Sequence, residues 1–170
     1  MSKFSVMIVT ELIKKEEKMK LYIQPIKHVT PVHLSLLLEA DPDKKVINTY
    51  IYRAFSFECL YNNKIVGVLV LDTQKNDIME ILNISVHPDY QNIGIGSFLL
   101  TFADAFAKEK HCTSLEVCTG STSIWQLYFY QKHGFRITKI KTDYFIKTYD
   151  EPIFEHGIQL KDQLCLRKIL

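Results

Sequence analysis

Hydrophobic and polar positions alternate between two periods along this chain. "KLYIQPI" (Lys20 to Ile26) repeats every two residues and predicts a strand. Pro31 then suits the first turn of a helix through "VHLSLLLEA", which Asp41 and Pro42 end. "KKVINTYIYRAF" is amphipathic and predicts a second helix, although Ile, Val and Thr are weak helix formers. "SFECLYNNKIVGVLVLDTQ" predicts a hairpin, with Asn62 and Asn63 tolerating the left-handed turn. Asp77 to Val86 is a further strand. "GSFLLTFADAFAKEK" returns to the helical period, with Phe98, Leu99, Phe102, Ala105 and Phe106 on one face. "TSLEVCT" predicts a strand and "SIWQLYFYQKHGF" a helix ending at Gly134. "FRITKIKTDYF" and "QLCLRKI" predict two last strands. The order of elements indicates an α/β domain with a mixed, mostly antiparallel sheet.

Composition changes this picture little. The 170 residues suit one domain, and 47% hydrophobic with 24% charged residues is ordinary for a globular protein. A net charge of +2 without a basic run argues against nucleic acid as partner. No apolar stretch is long enough to span a bilayer. "FSVMIVT" lacks the charge order and cleavage site of a secretory signal, so residues 1–18 read as an N-terminal extension ahead of a domain over 19–170. Cys59, Cys112, Cys118 and Cys165 are scattered and the six histidines dispersed. This spacing suggests neither a metal site nor a disulfide framework, and reduced thiols in a cytoplasm are the expectation.

The chemistry concentrates in "HPDYQNIGIGSFLL" (His87 to Leu100), where a strand gives way to a helix. A helix start carries unpaired N–H groups and partial positive charge. Gly94 and Gly96 would let those groups approach an anion closely, which makes a phosphate cradle. The alternative is a tight turn and nothing more. G-x-G-x-x-G fails, because Leu99 stands where its last glycine would be, and the P-loop pattern fails too.

Taken with "LYFYQKHGF" downstream, the region resembles the GNAT N-acetyltransferase superfamily. Gln91, Gly94 and Gly96 match its [QR]-x-x-G-x-[GA] signature, and Tyr130, Lys132, Gly134 and Phe135 match its Y-x-K-x-G-F helix end. The resemblance covers about Lys20 to the C-terminus and is similar to an uncharacterised bacterial subgroup, distantly aminoglycoside-acetyltransferase-like. It implies a GNAT fold with a mixed, mostly antiparallel central sheet flanked by helices. It also implies acetyl-CoA as the acetyl donor and direct attack by an amine on the thioester.

By position, Ile84, Ser85 and Val86 would bind the pantetheine arm, with the Val86 N–H facing the developing oxyanion. Gln91, Asn92, Ile93, Gly94, Ile95, Gly96 and Ser97 would hold the pyrophosphate. The family often has an Asn seven residues before the Tyr. Here that position is Ser123, whose shorter hydroxyl cannot span the same gap, and Ser121 is its rival. Tyr130 would protonate the leaving thiolate. Glu80 and Glu116 are alternative bases, each in an apolar run where burial favours a useful pKa; a water chain is the third option. The acidic, aromatic segment Thr142 to Gln159 would suit a cationic amine, either a small molecule or a peptide or protein amine. The last strand is apolar enough to pair across an interface, which leaves room for a homodimer. A non-catalytic acyl-CoA sensor and a plain interaction module are the competing classes.

Overall fold

The computed structural model describes Met7–Ile8 and residues 20–75 and 77–170. The chain forms two compact units, Met1–Asp72 with Leu82–Thr101, and Thr73–Ile81 with Phe102–Leu170. Most of the proposed extension lies outside the described residues; Met7–Ile8 forms a two-residue strand, β1.

In the first unit β1 pairs antiparallel with β2 (Leu21–Pro25), and β2 with β3 (Phe55–Tyr61). The predicted hairpin joins β3 to β4 (Lys64–Gln74). Its tip residues Asn62 and Asn63 have φ of 47° and 64°, the left-handed conformation that Asn tolerates. Helix α1 (Pro31–Ala40) begins at a proline and ends where Pro42 forces Asp41 into extended backbone. Helix α2 (Lys44–Tyr50) is capped by Asp43, which accepts the Lys45 N–H at 2.7 Å. It stops five residues short of the expected Phe55. The β-branched Val46, Ile47, Thr49 and Ile51 sustain a helix poorly, and Phe55 is taken by β3. Leu36, Leu37, Ile47, Tyr50, Ile51, Val68 and Val70 form this unit's core. Each buried aliphatic side chain contributes about 1.5–3 kcal/mol.

Strand β5 (Ile78–Val86) and helix α3 (Ile95–Glu109) each pass from one unit into the other. In the second unit β5 pairs parallel with β6 (Ser114–Gly120). Helix α4 (Ile124–Lys132) and β7 (Arg136–Lys141) follow. The final strand β10 (Gln163–Ile169) pairs antiparallel with both β6 and β7. The sheet order is β1-β2-β3-β4-β5-β6-β10-β7, mixed and mostly antiparallel as expected. Because β6 and β7 of the same chain occupy both edges of β10, that strand has no edge to offer across an interface. At this end of the order the edge strand is β7, whose Arg136, Lys139 and Lys141 discourage further pairing.

Three short elements were not expected. A short helix, α5 (Tyr144–Thr148), stands where a strand was predicted to continue. A small hairpin of β8 (Phe154–Glu155) and β9 (Ile158–Gln159) turns at His156 and Gly157, both with positive φ. The cysteine expectation also fails for one pair. Cys118 and Cys165 are directly opposite in the β6–β10 register and are joined by a disulfide. Cys59 and Cys112 are free and buried. Burial pushes the Cys59 thiol up to about 12.

Candidate active site

The turn from β5 into α3 is built by its own side chains. The His87 N–H donates to the Val66 carbonyl at 2.8 Å, and its Nδ1 accepts the Asp89 N–H at 3.3 Å. His87 therefore serves the turn, continued by the short 3₁₀ segment Pro88–Tyr90. The Gln91 side-chain amide donates to the Val86 carbonyl at 2.9 Å. It ties the loop to the strand end, a structural job within the stretch matched to pyrophosphate.

The two glycines differ. Gly94 has φ of 98° and Asn92 of 61°, both left-handed. At Gly94 the backbone itself requires a glycine. Gly96 lies within the first turn of α3 and is not among the glycines of positive φ, so the turn does not demand it. The Phe98 N–H reaches back to the Gly94 carbonyl at 3.0 Å, so Ile95, Gly96 and Ser97 occupy the first turn, the end of a helix that carries partial positive charge. What a missing side chain at Gly96 adds is close access to that helix start.

Upstream, β5 pairs with β6 from Ile78 to Ile81 and then runs on to Val86. Ile84, Ser85 and Val86 lie in that continuation. Gly67 on β4 lets the strands meet there, since a Cβ at 67 would sit 2.9 Å from the Ser85 carbonyl oxygen.

Tyr130 stands on α4 in the second unit, its ring between Phe129 and Phe135 at centroid distances of 5.5 and 5.9 Å. The residue is 6% exposed, and burial raises its pKa above the ordinary tyrosine value. It is held as a phenol, the form that can donate a proton. The surrounding motif has a purely structural part. Gly134 adopts φ of 88°, which lets the Phe135 N–H return to the Tyr130 carbonyl at 3.1 Å, a glycine C-cap. Gly134 and Phe135 thus close the helix.

Ser123 is buried, and its hydroxyl donates to Glu155 at 2.7 Å, beside Thr122 at 3.1 Å. That contact ties the β8–β9 hairpin to the start of α4. Ser121 is exposed, and its N–H donates to the Asp162 carbonyl at 3.1 Å. Within Thr142 to Gln159, the Phe145 and Tyr149 rings stack at 5.7 Å, and the Lys141 ammonium lies over the Tyr144 ring. These groups are largely engaged with one another.

Glu80 and Glu116 are register partners on β5 and β6, and both are half-buried. One Glu116 oxygen accepts both the Arg167 Nη2 at 2.7 Å and Nε at 3.2 Å, so this carboxylate is ion-paired. Glu116 also lies near Cys118 and Cys165, but those sulfurs are bonded to each other and offer no thiolate to a metal.

A family model described as "Acetyltransferase (GNAT) domain" matches residues 53–137, which include the glycine turn and Tyr130. The uncharacterized N-acetyltransferase YvbK of Bacillus subtilis (strain 168) is 40% identical over 131 residues, covering 77% of this chain and 84% of that protein. The chain belongs to the GNAT acetyltransferase family. Among solved GNAT structures, an acetyltransferase from Elizabethkingia anophelis with acetyl-CoA bound is 41% identical, with a TM-score of 0.84 over 88% of this chain and 98% of that one. A Bacillus subtilis acetyltransferase in complex with CoA is 38% identical, with a TM-score of 0.84 over 89% and 99%.

Proposed function

We propose that this GNAT enzyme transfers an acetyl group from acetyl-CoA to a primary amine, either a small cationic amine or a peptide or protein amine. The observation that carries the reading is the left-handed Gly94, which turns the chain into α3 so that Ile95 and Gly96 stand at the helix start. That start suits a pyrophosphate, because it offers backbone donors and partial positive charge with no carboxylate between Gln91 and Ser97. The two solved relatives that hold acetyl-CoA or CoA support the same donor.

Acetyl-CoA supplies the activated thioester; the chain's residues supply position and protons. Asn92 to Ser97 hold the pyrophosphate, and Ile84 to Val86 offer backbone groups to the pantetheine arm. The Val86 N–H is the candidate oxyanion donor. Tyr130 gives its proton to the departing thiolate sulfur. The attacking amine loses its proton to Glu80 or to water. Glu116 is the other candidate, and Arg167 engages its carboxylate. Ser123 is weaker than Ser121 for a donor contact, because Glu155 accepts from its hydroxyl.

Calorimetric titration of acetyl-CoA into wild type and Gly94→Ala tests the cradle. A side chain at a left-handed φ costs on the order of 1–2 kcal/mol, so the variant should bind about five- to thirtyfold more weakly. Equal affinities would remove the loop from donor binding.

A further inference from the structure

Asn83 lies on β5 beside Ile84 and is almost wholly buried, an uncommon place for a primary amide. Its Nδ2 donates to the Leu37 carbonyl of α1 at 3.0 Å and to the Tyr50 hydroxyl of α2 at 3.1 Å. The Leu37 carbonyl only accepts, so it fixes which way the amide points. That carbonyl also receives the Asp41 N–H at 3.1 Å, so the end of α1 is satisfied without Asn83. Asn83 Oδ1, meanwhile, is buried with no hydrogen-bond partner among the described residues.

A buried acceptor left unpaired costs stability. A leucine of similar volume would remove that orphan but would take the Nδ2 donor from the buried Tyr50 hydroxyl. What the amide supplies is a tie from one strand residue to the ends of two helices. The start of α1 is fixed separately. His33 Nδ1 accepts the Thr30 N–H at 3.0 Å, which leaves Nε2 to donate to Glu58 at 2.6 Å, while Gln24 donates to the other Glu58 oxygen at 2.6 Å. Helix α1 is pinned at its start to Glu58 of β3, which Gln24 of β2 holds in turn, and at its end to β5.

We propose that Asn83 is a positioning residue for the acceptor amine. It sets α1 and α2 against the stretch of β5 at Ile84–Val86, and so places the wall that an incoming amine meets. The inference rests on the acyl-transfer reading, in which the thioester lies along that stretch. An amine must reach the thioester carbon to within roughly 3–3.5 Å, so a small displacement of that wall matters.

The test uses Asn83→Leu and Tyr50→Phe, with spermidine, kanamycin and an alanine-terminated peptide as amines. For the amine the wild type uses best, each variant should raise the amine KM about tenfold. The acetyl-CoA KM and kcat at saturating amine should stay within twofold. The split between amine KM and kcat is what a residue present only for stability would not produce. If Asn83→Leu fails to fold, Tyr50→Phe keeps the ring packing and carries the test. An unchanged amine KM in folded variants overturns the proposal, as does a joint rise of both KM values. Failure of the underlying reading looks different: wild type itself releases no thiol with any of the three amines, and the assignment falls with it.

Discussion

Tyr130 shows how much one side chain depends on its surroundings. Burial between Phe129 and Phe135 raises its pKa, so the phenol persists through the range in which an enzyme works. Tyr130→Phe keeps the packing and removes the proton. Its kcat should fall by about a hundredfold, the usual scale for a general acid, with acetyl-CoA affinity within twofold of wild type. Steady-state kinetics with calorimetry checks both, and an unchanged kcat would take Tyr130 out of the mechanism.

Tyr50 gives a second residue-scale prediction. Burial, opposed by the Asn83 hydrogen bond, raises it from 10.0 to about 12. A raised folded pKa means that the unfolded chain loses its proton first as pH rises. The stabilising effect is therefore complete below pH 10 and is lost progressively between 10 and about 12. Denaturation at stepped pH should show Tyr50→Phe losing less stability than wild type across that window; parallel curves would contradict it.

At the scale of elements, what the sequence made legible was periodicity and turn chemistry. Alternation found the strands, Pro31 and Pro42 bounded α1, and Asn62–Asn63 marked the hairpin. The glycine turn could be placed but not explained, because a sequence cannot say which glycine carries the positive φ. Elements of two to five residues, α5 and the β8–β9 hairpin, are too short to show a period. The place of β10 between β6 and β7 is a matter of topology that no local pattern encodes. The same holds for the disulfide, since Cys118 and Cys165 are 47 residues apart and become neighbours only through the β6–β10 register. Closing a loop of that length stabilises by roughly 4 kcal/mol on a chain-entropy account. Unreduced protein should show no reactive thiol when folded and two, Cys59 and Cys112, when denatured. Reduction should lower the urea midpoint. Four thiols in unreduced, denatured protein would mean that the bond does not form.

For the molecule as a whole, family membership defines the chemistry and leaves the acceptor to experiment. The matched family region, residues 53–137, omits α1, α2 and the segment from Thr142 onward. Those parts of this chain carry the Asn83 tie and the stacked aromatic segment. No helix among the described residues is long and apolar enough to cross a membrane. The proposed function stands on amine-dependent acetyl transfer. The most direct test incubates the full chain with acetyl-CoA and each of a panel of polyamines, aminoglycosides and peptides, following thiol release and the mass of the amine. It predicts that at least one amine gains 42 Da, about the mass of an added acetyl group, in step with thiol release well above the amine-free rate. Tight acetyl-CoA binding with no amine-dependent release across the panel would contradict it and favour a protein that binds the donor without turning it over.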